Sequence, residues 1–234
     1  MSNRRIVSHE EWIAVRKDLL KREKEFTRQR DELSRRLRDM PWERVEKDYV
    51  FDGPDGRETL AELFDGKGQL IVYHFMFDPG WDEGCKICSF MADHFAPLVA
   101  HLRQRDVTML AVSSAPLAKL NAFRQRMGWD FKWVSCAGNN FNRDYRVTFT
   151  QEQIERDEIA YNYRQQGGHP STELPGMSVF ARDAAGEVFH TYSTFARGLE
   201  TFLGAYRFLD IVPRGRDEDG LAFTMEWIRH RDRY

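Results

Sequence analysis

The chain has 234 residues, of which 41% are hydrophobic and 13% aromatic, enough for one large domain with a substantial core and too apolar for a disordered polymer. Its 35 basic and 37 acidic side chains nearly cancel, so no overall field draws it to nucleic acid or to an anionic membrane. The most apolar run, residues 69–77, is strand-sized and contains His74, well short of the roughly 20 residues a membrane-spanning helix needs.

Residues up to Trp12 contain no apolar core of a signal peptide, which points to a cytoplasmic location. The spacing of apolar positions predicts a long helix over about residues 8–38, with Ser8 and Glu11 as a capping box and Trp12, Val15, Leu19, Phe26, Leu33 and Leu37 along one stripe. Basic residues between Lys17 and Arg38 are interleaved with Glu23, Glu25, Asp31 and Glu32, the pattern of a solvated helix face rather than a nucleic-acid surface. A homodimer contact through this helix is equally compatible with that pattern.

From residue 49 the pattern alternates between strands and helices. A short strand at 49–52 runs into the turn Gly53-Pro54-Asp55-Gly56, and a helical turn follows at 59–64. The nearly continuous apolar run 70–77 reads as a strand buried on both faces. Residues 86–104 read as a helix kinked at Pro97, 107–113 as a second buried strand, and 116–127 as a second helix closed by Gly128. A short strand is expected near 131–135, then a polar, irregular insertion over about 136–175 with turn signals at Asn139-Asn140 and Gly167-Gly168. The pair 177–182 and 187–193 around Asp183-Ala-Ala-Gly186 has a hairpin signature. A last core helix is expected over 198–209, and a charged tail with a helical apolar patch at Phe223, Trp227 and Ile228.

Strand–helix–strand units with a helical crossover make parallel neighbours. The order from 70 to 209 is βαβαββα, that of a thioredoxin core. The expected fold class is therefore α/β, a thioredoxin-like core (46–210) with an N-terminal helical extension (1–45), an insertion before the final hairpin and a C-terminal extension (211–234) packing on the domain.

The strongest chemical signal is Cys85-Lys-Ile-Cys88, at the start of the helix after the first core strand. Sulfurs there face unpaired amides and the positive end of the helix dipole, which favours a thiolate. Spacing of i, i+3 puts both sulfurs on one side of the first turn. Cys85 reads as the more exposed attacking thiol and Cys88 as the resolving one. Lys86 adds local positive charge, while Asp82 and Glu83 oppose it. A zinc half-site is the competing reading, but His94 lies six residues beyond Cys88 and one helix face does not collect the ligands. No metal or cofactor is therefore implied. Cys136 reads as a buried bystander, and His74 and His190 as hydrogen-bonded strand residues.

Residues 49–195 resemble the alkyl hydroperoxide reductase/thiol-specific antioxidant branch of the thioredoxin superfamily, through Phe131-Lys-Trp-Val-Ser135, Asp144-Tyr-Arg-Val147 and Phe180-Ala-Arg-Asp183-Ala-Ala-Gly186. Nearly the whole chain is similar to a bacterial family of unknown function within that superfamily. The residues carrying this are 78–90, Phe141-Asn-Arg-Asp-Tyr145, 178–183, 188–198, 209–216 and Trp227-Ile-Arg-His230. The resemblance implies the fold and no particular activity; the cysteine pair at the helix start points to a thiol–disulfide oxidoreductase acting on a protein or small-molecule disulfide, with an external reductant. A non-catalytic thioredoxin-like binding module and an atypical thiol peroxidase are the alternatives. Peroxiredoxins place Thr three residues before the reactive Cys, where this chain has Asp82. Thioredoxin's Trp next to the pair corresponds to Trp81, four residues early, and its proline before the hairpin corresponds to Pro175 with a one-residue shift. Trp81, Lys86 and Pro175 are accordingly the expected substrate-binding residues.

Overall fold

The computed structural model describes residues 4–166 and 171–234. The expected turn at Gly167-Gly168 lies outside the described residues. Two compact units are present, Met1–Pro41 and Trp42–Tyr234.

The first unit is the helix α1 (His9–Arg38). The Ser8 hydroxyl accepts from the Glu11 amide at 3.2 Å, which satisfies one orphan donor of the first turn. The reciprocal half of the expected capping box is replaced by a Glu11–Arg5 ion pair. No residue of α1 is buried, and its charges pair along the helix, Arg16 with Glu23 and Arg36 with Glu32.

The second unit begins with β1 (Glu43–Arg44), β2 (Val50–Gly53) and β3 (Gly56–Thr59). The turn at 53–56 is where the sequence places it, but it closes a hairpin. Thr59, expected to open a helix, ends β3, and only a single 3-10 turn follows at Glu62–Phe64. Then come β4 (Gln69–His74), α2 (Lys86–Phe95), a 3-10 turn at Ala96–Leu98 that contains Pro97, and α3 (Val99–Arg103). Proline removes one helical hydrogen bond and breaks the expected 86–104 helix at that point. β5 (Val107–Ser113), α4 (Leu117–Met127) and β6 (Trp133–Ser135) complete two parallel crossovers.

The insertion is more ordered than its composition suggests. It carries α5 (Phe141–Asp144), α6 (Gln151–Glu155) and the small hairpin β7 (Ile159–Tyr161)–β8 (Arg164–Gln166). Each is too short to show a hydrophobic period, although Thr150 and Gln153 form a complete capping box on α6. The final hairpin is β9 (Gly176–Arg182) and β10 (Val188–Phe195). The expected helix at 198–209 is divided into a 3-10 segment (Ala196–Phe202) and α7 (Gly204–Leu209), because Leu203 adopts an extended conformation between them. The tail forms turns around 223–228, with no helix before a terminal 3-10 turn at Arg231–Arg233.

The eight-stranded sheet has the order β1-β10-β9-β4-β5-β6-β2-β3. Side chains alternate across it with period two. In β4 and β5, Tyr73, Met109 and Ala111 join Cys88, Met91, Phe95, Leu120 and Phe123 in one cluster under α2 and α4. Leu70, Val72, Leu110 and Val112 pack on the other face with Phe51, Leu63, Phe64 and Phe141. A third, smaller cluster (Val147, Phe149, Ile159, Tyr161, Leu174, Phe195) anchors the insertion. Both crossover helices cover one face, as two right-handed connections stepping in the same direction require. The strand–α2 junction thereby falls at the carboxyl edge of the central strands.

Candidate functional site: a dithiol at a helix start

After β4 the chain turns through Asp78-Pro-Gly-Trp-Asp-Glu-Gly84 and re-enters at Cys85, whose amide donates to the Met76 carbonyl at 3.1 Å. Cys85 is the N-cap of α2. A Cβ on Gly84 would lie 2.8 Å from the Phe75 ring and 3.1 Å from Phe123, so only glycine lets the loop lie this close to the core. Cys85 is partly exposed and Cys88 fully buried, and both are free thiols.

The two sulfurs are within hydrogen-bonding reach. The Cys88 thiol, the amides of Cys88 and Ile87, and the charge of Lys86 draw Cys85 down to about 7 against the cost of its burial. Cys88 is pushed well up, first by burial and then by its bond to and charge repulsion from Cys85. The Met76 amide donates to the Cys88 sulfur at 3.4 Å, and the Tyr73 hydroxyl bonds it as well. The arrangement is a nucleophile and a resolving group with separated pKa values, set by one environment per sulfur.

Glu83 does not cancel this, because it is paired with Arg126 at 2.6 Å and with Arg233. The tail closes over the same loop: His230 Nε2 donates to the Gly84 carbonyl at 2.9 Å, and Met225 and Trp227 pack on the α2 cluster. Lys86, expected beside substrate, gives its ammonium to the Glu226 carbonyl at 2.9 Å. Trp81 packs its ring on the α2 cluster, and its carbonyl accepts from Lys119 at 3.0 Å. Pro175 lines a groove of about 390 Å³ with Tyr73, Ile87, Met91 and Leu199. No peptide bond among the described residues is cis.

Among the described residues no group of three or more His, Cys, Asp or Glu side chains is placed to hold a metal ion. His94 has both nitrogens engaged, with the Phe90 carbonyl at 2.6 Å and the Ala205 amide at 2.8 Å. Arg197 and Arg216 pair with Glu200, and Arg216 also with Asp210, rather than with the acidic run 217–219.

A second polar region was not legible in the sequence. A row of hydrogen bonds crosses the sheet, from His190 Nε2 to Ser193 at 2.7 Å, Ser193 to Ser178 at 2.8 Å and Ser178 to His74 Nε2 at 2.8 Å. It continues from His74 Nδ1 to Asn142 Oδ1 at 2.9 Å, Asn142 to Ser114 at 3.4 Å and Ser114 to Thr148 at 3.1 Å. Thr148 then reaches both Glu173 oxygens at 3.0 Å. Burial pushes His74 down to about 4. It is therefore neutral, its Nδ1–H donating to Asn142 and its Nε2 accepting from Ser178. Glu173 is 1% exposed and burial lifts it to about 7. Cys136 lies in the same region, its thiol donating to the Ser113 carbonyl at 3.3 Å. Burial, then the charge of Glu173, push it up to about 12.

Strand order, crossovers and the position of the dithiol define a thioredoxin-fold protein with its cysteine pair at the start of the first core helix. The chain belongs to the family described as bacterial protein of unknown function (DUF899), whose model matches residues 1–234. No curated protein matches it. Among solved structures it is similar to peroxidoxin BcpB from Mycobacterium tuberculosis, at 14% identity over 72% of this chain and 97% of that one, with a TM-score of 0.45. It is also similar to peroxiredoxin Q from Xanthomonas campestris, at 15% identity over 73% and 98%, with a TM-score of 0.47.

Proposed function

We propose that the protein is a thiol–disulfide oxidoreductase in which Cys85 attacks and Cys88 resolves. The observation carrying this reading is the partly exposed Cys85 at the helix start, drawn down to about 7 beside a buried thiol that is pushed up. About half of Cys85 is then thiolate at neutral pH, near the optimum for attack on a disulfide.

Cys85 thiolate attacks one sulfur of the substrate disulfide, and the other sulfur leaves as a thiolate that takes a proton. Once Cys85 is in the mixed disulfide, its charge and its bond to Cys88 are gone. Two of the causes that raise Cys88 disappear with them. Cys88 loses its proton, attacks the Cys85 sulfur and releases the second substrate thiol. The substrate gains two electrons, the enzyme is left as the Cys85–Cys88 disulfide, and an external dithiol returns it to the reduced state.

The groove containing Pro175, Tyr73 and Ile87 is the place for the substrate's apolar part, with Trp81 on the preceding loop. Lys86 acts through its charge on Cys85. The substrate is a protein or small-molecule disulfide, and the setting a reducing compartment such as the cytoplasm. Trapping tests the reading: Cys88→Ser incubated with a model disulfide accumulates a mixed disulfide on Cys85, seen by mass spectrometry and reversed by dithiothreitol. Absence of that adduct, with Cys85 still alkylatable, would overturn it.

A further inference from the structure

The cavity beside Glu173 has about 340 Å³ and is bounded by the chain just after β4 (Asp78), after β5 (Ser114) and after β6 (Cys136), by α5 (Arg143), and by Thr148 and Glu173. It contains neither Cys85 nor Cys88. Asp78 is partly committed: Oδ1 accepts from the Gly80 amide at 2.7 Å and Oδ2 from Thr172 at 2.9 Å. Glu173 has the same number of donors but, unlike the half-buried Asp78, is closed off from bulk water. Its four acceptor sites receive only the hydroxyls of Thr148 and Ser114, although the carboxylate is 1% exposed.

Arg143 lines the same cavity and its charge acts on Glu173, yet among the described residues its guanidinium makes no ion pair. A buried, under-satisfied carboxylate and an unpaired guanidinium thus face one cavity without meeting. A ligand carrying both charges completes each of them. A bare anion leaves Glu173 as it is, and a bare cation leaves Arg143 as it is. Cys136 offers no chemistry there, because its thiol stays protonated.

We propose that this cavity is a second binding site, separate from the dithiol, for a small zwitterion of the α-amino-acid class, its ammonium against Glu173 and Asp78 and its carboxylate on Arg143. The ammonium supplies further charge-assisted hydrogen bonds to the buried Glu173, while Arg143, which is exposed, takes the carboxylate from the solvent side. The charged groups facing Glu173 are Asp78, which raises it, and Arg143, which lowers it, with Cys136 neutral beside them. Bound ammonium requires the ionised carboxylate, so binding releases the Glu173 proton below neutral pH.

The test is a thermal-shift panel of the proteinogenic amino acids on the full chain, followed by calorimetry on the best of them, with acetate and ethylammonium as half-probes. At least one amino acid binds, and each half-probe binds at least tenfold more weakly. With Glu173 at about 7, affinity rises about tenfold from pH 6 to pH 8. Arg143→Gln and Glu173→Gln each lose at least tenfold, while Cys85 alkylation is unchanged, which separates this site from the dithiol reaction. Failure of every amino acid to bind, acetate binding as well as the amino acid, or full affinity in Arg143→Gln overturns the proposal. If Glu173→Gln does not fold, the pH series on the unaltered chain reads the same group. An affinity that stays flat between pH 6 and pH 8 then overturns it.

Discussion

Cys85 and Cys136 both follow a strand of the same sheet at its carboxyl edge, and their chemistry is opposite. Cys85 caps a ten-residue helix, receives two amides and a neighbouring thiol, and keeps solvent access. Cys136 is 3% exposed, gives its proton to a carbonyl, and faces a buried carboxylate. Donors aimed at sulfur stabilise the thiolate of Cys85; at Cys136 burial first, and then the like charge of Glu173, outweigh the donors it receives from Ser114 and backbone amides. The fold thus assigns reactivity by what meets each sulfur, since both follow strands of the same sheet.

The largest effect follows directly. Iodoacetamide at pH 7 labels Cys85 and spares Cys136. Their separation, from about 7 to about 12, costs Cys136 some five decades of thiolate fraction, of which higher intrinsic nucleophilicity returns 0.4–0.5 decade per unit. A rate ratio of roughly 300 to 1,000 is expected, read by peptide mass spectrometry over time. Comparable labelling of the two cysteines would break the comparison.

The second effect concerns the Glu173 side. Its folded pKa is raised, from 4.5 to about 7, so its contribution is most favourable below the unfolded value and is lost as pH rises through 7. Roughly 3 kcal/mol of stability should disappear between about pH 4.5 and pH 8. Urea titrations across that range detect the slope, and Glu173→Gln removes it. A slope that survives the substitution would place its origin elsewhere.

Gly84→Ala acts on the Cys85 side. Its Cβ meets Phe75 at 2.8 Å and Phe123 at 3.1 Å, an overpacking that costs about 1–3 kcal/mol. The loop must shift to relieve it, so the Cys85 pKa, measured from the pH dependence of alkylation, moves up as well. An unchanged midpoint with lost stability would show that the loop yields without disturbing the cap. The smallest effect is Lys86→Met. Lys86 is the weakest of the causes that lower Cys85, and its loss should raise the alkylation midpoint by less than about one unit.

Much of the dithiol region could be read from residue order alone. Leu70 to Phe77 is apolar without a break, the cysteines stand where the next helix begins, and Gly128 marks the end of α4. Each signal is local, so no distant contact was needed to see it. The cavity region shows the opposite case. Asp78 and Ser114 lie far along the chain from Cys136, Arg143, Thr148 and Glu173, and none of the six carries a motif. Thr150 and Gln153 were a legible cap inside that insertion, but the elements they begin are too short to show a period. The tail differs from its sequence pattern for a related reason: Phe223, Trp227 and Ile228 look like one face of a helix, whereas the segment turns, with Trp227 on the α2 cluster, Ile228 buried and Phe223 exposed.

What the sequence by itself determined is the alternation that buries β4 and β5 on both faces, the two crossover helices, and the placement of Cys85 at the head of one of them. Period and spacing are properties of neighbouring residues, and the backbone obeys them wherever the chain goes. The tertiary structure alone decided which charges and donors surround each sulfur. It brought His230 to the Gly84 carbonyl, paired Glu83 with Arg126, and set Glu173 under Cys136. These contacts join residues tens of positions apart, and a pKa answers to distance in space rather than in sequence.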